Sequence, residues 1–162
     1  MTKQSKLWPL VLGLSLIILA SACQQGEDII NPPTAEELLS DNPWLYTAHT
    51  IEPGMLQGTF VITDLYAQLD SCDQDDIYSF TSTGVFNLEQ GDIRCTPNSD
   101  QIIDNGTWTV SDDETELSLD FSTIDDITYE ISELDRKEMV LIKKYTDNGI
   151  NFTETLTFDV IE

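Results

Sequence analysis

The chemistry open to this 162-residue chain rests on three cysteines, a single histidine and thirty carboxylates. Cys23 follows Ala20-Ser21-Ala22, at the end of an apolar run that starts at Leu7 and is preceded by Lys3 and Lys6. A charged start, a short apolar middle and a small-residue exit make a secretory signal. A cysteine placed directly after the small residues turns simple cleavage into lipidation. The segment looks like a bacterial lipobox, with Ala20 standing where Leu, Val or Ile is usual. On this reading residues 1–22 are a signal peptide, and the Cys23 thiol carries diacylglycerol as a thioether, with palmitate-type acyl chains. The run Leu7–Ala20 is too short to span a bilayer comfortably as a helix. Two or three acyl chains, by contrast, hold a protein at a membrane where one would not.

Cys72 and Cys95 remain as an even pair in an oxidising compartment, which reads as a disulfide. The rival reading, a metal or redox pair, has little to work with. Their spacing is far from C-x-x-C and His49 is the only imidazole. His49 is expected on a strand face shared with Leu45 and Thr47, as surface decoration. A hydroxyl or thiol nucleophile needs an orienting base, and no Gly-x-Ser-x-Gly, phosphate loop or His-rich zinc spacing is present. The sequence therefore indicates no catalytic residue, no metal site and no cofactor. Asp70, Asp73, Asp75 and Asp76 crowd around Cys72. Hard oxygen ligands suit calcium, yet the EF-hand pattern is missing. The cluster reads better as a solvated turn in which Asp75 or Asp76 accepts backbone N–H groups. Asp112-Asp113-Glu114 and Asp125-Asp126 are turns by the same logic.

Charge limits the partners. The whole chain carries −23; residues 1–22 hold two lysines and no acid, so the mature chain carries −25. Such a surface repels nucleic acid and anionic lipid. Disordered chains are poor in aromatic and β-branched residues, whereas this one has aromatics that alternate with polar residues, so it is a folded domain with an acidic coat.

The elements that position these groups follow from periodicity. Residues 23–33 form the lipidated cysteine and a polar, Pro-ended tether. Thr34-Ala-Glu-Glu37 is a capping box that opens a short helix, stopped at Asp41-Asn42-Pro43. After Pro43 the pattern has a period near two: Trp44/Tyr46/Ala48, Tyr78/Phe80, Phe86/Leu88, Trp108/Val110, Leu117/Leu119/Phe121, Ile127/Tyr129/Ile131, Met139/Leu141 and Phe152 to Val160. Val61–Leu69 adds a strand of unassigned partner. Ser82-Thr83-Gly84, Asp112-Asp113, Asp135-Arg136-Lys137 and Asp147-Asn148-Gly149 are the intervening turns. A meander of seven or eight strands with one apolar face removes its edges by closing into a barrel. The predicted fold is all-β: one antiparallel up-and-down barrel of about eight strands over residues 34–162, with a short N-terminal helix.

Cys72-x-x-Asp75-Asp76-x-Tyr78-x-Phe80-x-x-x-Gly84, then Cys95, Gly106-Thr107-Trp108 and Leu117-x-Leu119, resembles the lipocalin-like domain of bacterial envelope lipoproteins. Asp64-Leu-Tyr66-Ala-Gln-Leu69 and the helix before Trp44 extend the likeness to about residues 34–161. The resemblance implies a small meandering barrel and an envelope location, and it implies no reaction. Lipocalins place Gly-x-Trp on their first strand, where the tryptophan closes the barrel base. Here Asn42-Pro43 precedes Trp44, and Gly-Thr-Trp falls mid-chain, so no lipocalin ligand carries over.

The functional expectation is a non-catalytic binding or interaction module, anchored in a membrane that is best read as the outer membrane. Glu27 and Asp28, just after the lipidated cysteine, resemble the acidic tags of surface lipoproteins. Its partner is a small apolar ligand or another envelope protein. Trp44, Tyr78, Phe80, Trp108 and Phe152 are the candidate lining of the barrel, with Glu154 as its polar member. Glu154 is expected at the mouth or paired with a cation such as Lys143, because a buried unpaired carboxylate costs several kcal/mol. The other reading is a structural or cation-binding acidic surface lipoprotein.

Overall fold

Helix α1 (Ala35–Asp41) begins as its sequence dictates: Thr34 Oγ1 accepts the Glu37 N–H at 3.2 Å, and Glu37 Oε2 accepts the Thr34 N–H at 3.0 Å. Asn42, ahead of Pro43, is already extended. The computed structural model describes residues 31–161, so the signal peptide and Cys23 lie outside the described residues. Nine strands follow α1: β1 (Trp44–Gln57), β2 (Phe60–Asp64), β3 (Ile77–Phe80), β4 (Val85–Glu89), β5 (Ile102–Val110), β6 (Glu116–Phe121), β7 (Ile127–Leu134), β8 (Glu138–Asp147) and β9 (Ile150–Val160). Each pairs antiparallel with the next from β3 onward, and β1 pairs with both β3 and β9. Those eight strands close into an up-and-down barrel, as the alternation predicted. β2 stays outside it, paired only with the outer half of β1.

The inward positions are filled. Trp44, Phe86, Leu117, Leu119, Met139, Leu141 and Phe158 are almost wholly buried, each contributing about 1.5–3 kcal/mol of transfer free energy. α1 lies across one end of the barrel. Leu39 is buried there, and its carbonyl, free at the helix C-terminus, accepts the Trp44 indole N–H at 3.0 Å. Trp108 plays a matching part on β5, donating its indole N–H to the Thr81 carbonyl at 3.0 Å. The Gly-Thr-Trp motif also has a packing reason. Gly106 sits directly between Phe86 and Phe121 across three strands, and the two rings meet over it edge to face at 4.9 Å. A Cβ at Gly106 would lie 1.8 Å from the Asp120 carbonyl oxygen.

Asn148 and Gly149 adopt φ of 49° and 80° in the β8–β9 hairpin, the two left-handed positions that such a turn needs. Two sequence expectations change. Val61–Leu69 is a strand only to Asp64, then a 3₁₀ turn at Tyr66–Gln68, and its partner is β1. His49 is not surface decoration with Leu45 and Thr47. The β1–β9 register shifts between Tyr46 and Ala48, so Thr47 is an extra residue, and its hydroxyl donates to the Thr157 carbonyl at 3.2 Å. One inserted residue inverts every later side chain. His49 therefore stands opposite Leu156, on the inward face.

The disulfide Cys72–Cys95 joins the segment before β3 to the β4–β5 loop. It closes a separation of 23 residues, worth about 3 kcal/mol on a chain-entropy basis. Replacing both cysteines by serine is expected to lower the melting temperature by about ten degrees. Gly106→Ala is expected to cost about 2 kcal/mol in urea unfolding, because either β5 and β6 or the two rings must move apart.

Candidate binding site at the end away from the helix

Four inward side chains that alternation would make apolar are polar, and the strand register brings them together. β8 continues Met139, Leu141 with Lys143 and Tyr145; β9 continues Phe158, Leu156 with Glu154; β1, after its bulge, supplies His49. Lys143 and Glu154 are direct cross-strand partners. Glu154 Oε1 accepts the Tyr145 hydroxyl at 2.8 Å, and its Oε2 lies 3.4 Å from His49 Nε2. The Lys143 ammonium stands 5.7 Å from the centre of the Tyr145 ring, a cation–π distance. Contact with His49 holds the Glu154 carboxyl below its ordinary range against the opposing effect of burial, helped by Tyr145 and Lys143. The carboxylate thus has three companions, Lys143 among them, and stays ionised at half-burial. His49 is less well served. Nε2 is buried and has no hydrogen-bond partner among the described residues; 3.4 Å is too long for a well-formed bond.

Below this group lies a wall of rings. Tyr46 packs against Tyr66 at 5.3 Å and Phe158 at 5.4 Å, and Tyr78 meets Phe158 edge to face at 5.2 Å. Burial first, then the neighbouring tyrosines, push the Tyr46 and Tyr78 hydroxyls well above their ordinary range. Tyr129 is pushed up to about 12 by burial, with Glu154 adding to it. These phenols are neutral hydroxyls at any physiological pH.

The candidate lining residues separate along the barrel axis. Trp44, Phe80 and Trp108 are buried towards α1, and both indole N–H groups are already used. Tyr78 lies further along the barrel. Phe152 stacks on Tyr145 at 5.5 Å beside Glu154, at the end away from the helix. Sequence spacing does not mark His49, Lys143 and Tyr145 as a group. The bulge hid His49, whereas Lys143 and Tyr145 were legible as polar members of the Met139/Leu141 face. A cleft of about 280 Å³ also opens at this end, between Asp73, Gln90, Ser99, Ile102 and Ile103 beside the disulfide.

The acidic cluster around Cys72 is a loop clasp. Asp75 Oδ2 accepts the Ile93 N–H at 2.8 Å, tying the segment before β3 to the β4–β5 loop. The Asp76 carbonyl accepts the Tyr46 N–H at 3.0 Å. Its carboxyl fares worse: burial, then Asp73 and Asp75, push it up to about 7. Elsewhere at this end Asp104 is buried, and its carboxylate accepts the hydroxyls of Ser122 and Thr123, which hold it below its ordinary range.

A closed eight-stranded meander with a helix across one end and polar side chains gathered at the other defines a small-barrel domain with no catalytic constellation among the described residues. Residues 56–141 match the family described as a lipocalin-like domain, and the chain belongs to that family. No curated protein matches it. Among solved structures it is similar to lobster apocrustacyanin A1, at 20% identity and a TM-score of 0.43, over 73% of this chain and 58% of that one. It is similar also to the bovine odorant-binding protein in complex with a selenium-containing odorant, at 14% identity and a TM-score of 0.42, over 82% of this chain and 76% of that one. This chain thus spans little more than half the length of the crustacyanin subunit.

Asp76 has a raised carboxyl pKa, so the stability it contributes is complete below its ordinary value of 3.8 and lost as pH rises through about 7. Asp76→Asn is therefore expected to raise the melting temperature by a few degrees at pH 8. The gain should vanish towards pH 4, in melts followed by circular dichroism across that range.

Proposed function

We propose that this protein is a non-catalytic binding module, exported and held at the outer membrane by acyl chains on Cys23. It takes a small, mainly apolar molecule bearing one polar group at the barrel end away from α1. The single observation that carries the ligand reading is the buried His49 Nε2. It sits beside a satisfied Glu154 and lacks a good partner of its own, next to a core cluster of apolar and aromatic side chains. A ligand hydroxyl or carbonyl there would give that nitrogen its bond, while Phe152, Tyr145 and Tyr78 supply apolar contact. Binding sites of this kind are mostly apolar with a few fixed polar groups.

The family membership is consistent with binding rather than catalysis. Export and anchoring rest on the Lys3/Lys6 start, the apolar run and the Ala-Ser-Ala-Cys exit. An acidic exterior of −25 keeps the domain away from anionic surfaces and nucleic acid.

Two measurements test this. The chain beginning at Gln24, purified from a Gram-negative host and sprayed under native conditions, is expected to carry a small apolar molecule. Glu154→Gln and His49→Ala should reduce its occupancy at least about tenfold, the effect of one lost buried polar contact. Full-length protein should sediment with membranes and label with palmitate, and Cys23→Ala should do neither. A mass without adduct in every preparation, together with unchanged binding of added fatty acids and sterols by both variants, would overturn the ligand reading and leave the anchoring one standing.

A further inference from the structure

β1 leaves the barrel at Pro53. Its last pair with β9 is Glu52 with Thr153, and proline has no N–H to continue that ladder. From there β1 and β2 run on as a two-stranded arm, Met55 opposite Ile62, Leu56 opposite Val61 and Gln57 opposite Phe60, turned by Gly58-Thr59 with Gly58 at φ 66°. Two features set this arm apart. Residues 53–63 contain no charge, in a chain where 23% of residues are charged. Its large apolar side chains are exposed: Leu56 by 78%, Phe60 by 75% and Val61 by 62%. They also point both ways. The pairing puts Leu56 and Val61 on one face, and Phe60, Ile62 and Met55 on the other.

We infer that the β1–β2 arm is a membrane-docking element that dips into a lipid surface with uncharged headgroups. An arm that is apolar on both faces fits a surrounding medium. A second copy or a flat protein face would cover one side only and leave the other wet. The dimensions agree. From Met55 and Ile62 to the turn, the arm extends roughly 10 Å at the usual rise per residue, which matches the roughly 5–10 Å to which apolar faces sink at a membrane interface. Glu52 and Asp64 flank the uncharged stretch and mark where immersion stops. At that depth the open strand edges stay in the hydrated headgroup layer, so no backbone group is stranded in hydrocarbon. With −25 on the rest of the mature chain, the headgroups must be neutral or zwitterionic.

Docking by the arm does not need the acyl chains on Cys23, and a chain without them tests it. The chain from Gln24, carrying Phe60→Trp, is mixed with phosphatidylcholine vesicles; Trp44 and Trp108, both buried, give a constant background. The expected result is a blue-shifted tryptophan emission that is quenched when the acyl chains are brominated. Co-sedimentation with the same vesicles should be lost at least about tenfold in Leu56→Asp/Phe60→Asp. That variant should melt like the parent, because both side chains lie outside the barrel. Emission that vesicles leave unshifted, or equal sedimentation of the double variant, would refute docking. Lipid-free, concentration-dependent self-association abolished by the double variant would refute it too, and would make the arm a contact between copies.

Discussion

The structure depends on how one strand divides its hydrogen bonds. β1 is fourteen residues long, and its two edges serve three partners. One edge holds β9 over eight residue pairs, from Trp44–Val160 to Glu52–Thr153. The other holds β3 for only two pairs, Trp44–Tyr78 and Leu45–Ile77, and then gives way to β2 from Thr50 onward. Closure on the β3 side is thus brief. It is reinforced by the Tyr46 N–H to the Asp76 carbonyl and, behind it, by the Asp75 and disulfide links to the β4–β5 loop. Without these links the barrel would have a seam held by little more than Trp44 and its neighbours. The acids around Cys72 are therefore part of the closure, and the raised Asp76 carboxyl, caused by burial first and then by repulsion from Asp73 and Asp75, is its electrostatic cost.

Much of this could be read from the residues because tertiary demands agree with local ones. Thr34 and Glu37 cap a helix that the barrel needs as a lid, Asn148-Gly149 turns where β8 meets β9, and the inward positions of β6 are apolar at every second residue, as are Leu156, Phe158 and Val160 of β9. The failures come from one-residue events. The bulge at Thr47 leaves no compositional trace, since threonine is at home in any strand, yet it moves His49 from solvent to the barrel interior. The alternation Trp44/Tyr46/Ala48 also marks only the first part of β1, which runs on through Pro53 to Gln57. Proline does end one ladder there, but only the one on the β9 side, and β2 carries the strand onward along the other edge.

His49 and Glu154 show how a polar group can sit inside such a fold. Glu154 alone at an inward position would be a liability, as its sequence neighbours Phe152, Leu156 and Phe158 imply. It is tolerated because adjacent strands deliver Lys143, Tyr145 and His49 to the same level. None of the four is adjacent to another in the way that a sequence motif would require, except Lys143 and Tyr145 on one strand. Register, not spacing, assembles them.

Two carboxylates at the end away from the helix respond to pH in opposite ways. The depressed carboxyl of Glu154 gives stability at and above its ordinary range, lost only as pH falls through its lowered value, whereas Asp76 gives stability that disappears as pH rises through about 7. The two groups pull the pH of greatest stability to between roughly 4 and 7, inside a coat whose general repulsion also relaxes as carboxylates take up protons. The uncharged arm escapes this balance. Its exposed leucine and phenylalanine stabilise nothing within the barrel, and a projecting two-stranded ribbon is marginal in water. Eleven consecutive uncharged residues on such a ribbon, in a chain this acidic, leave an apolar surface whose burial the barrel itself does not supply.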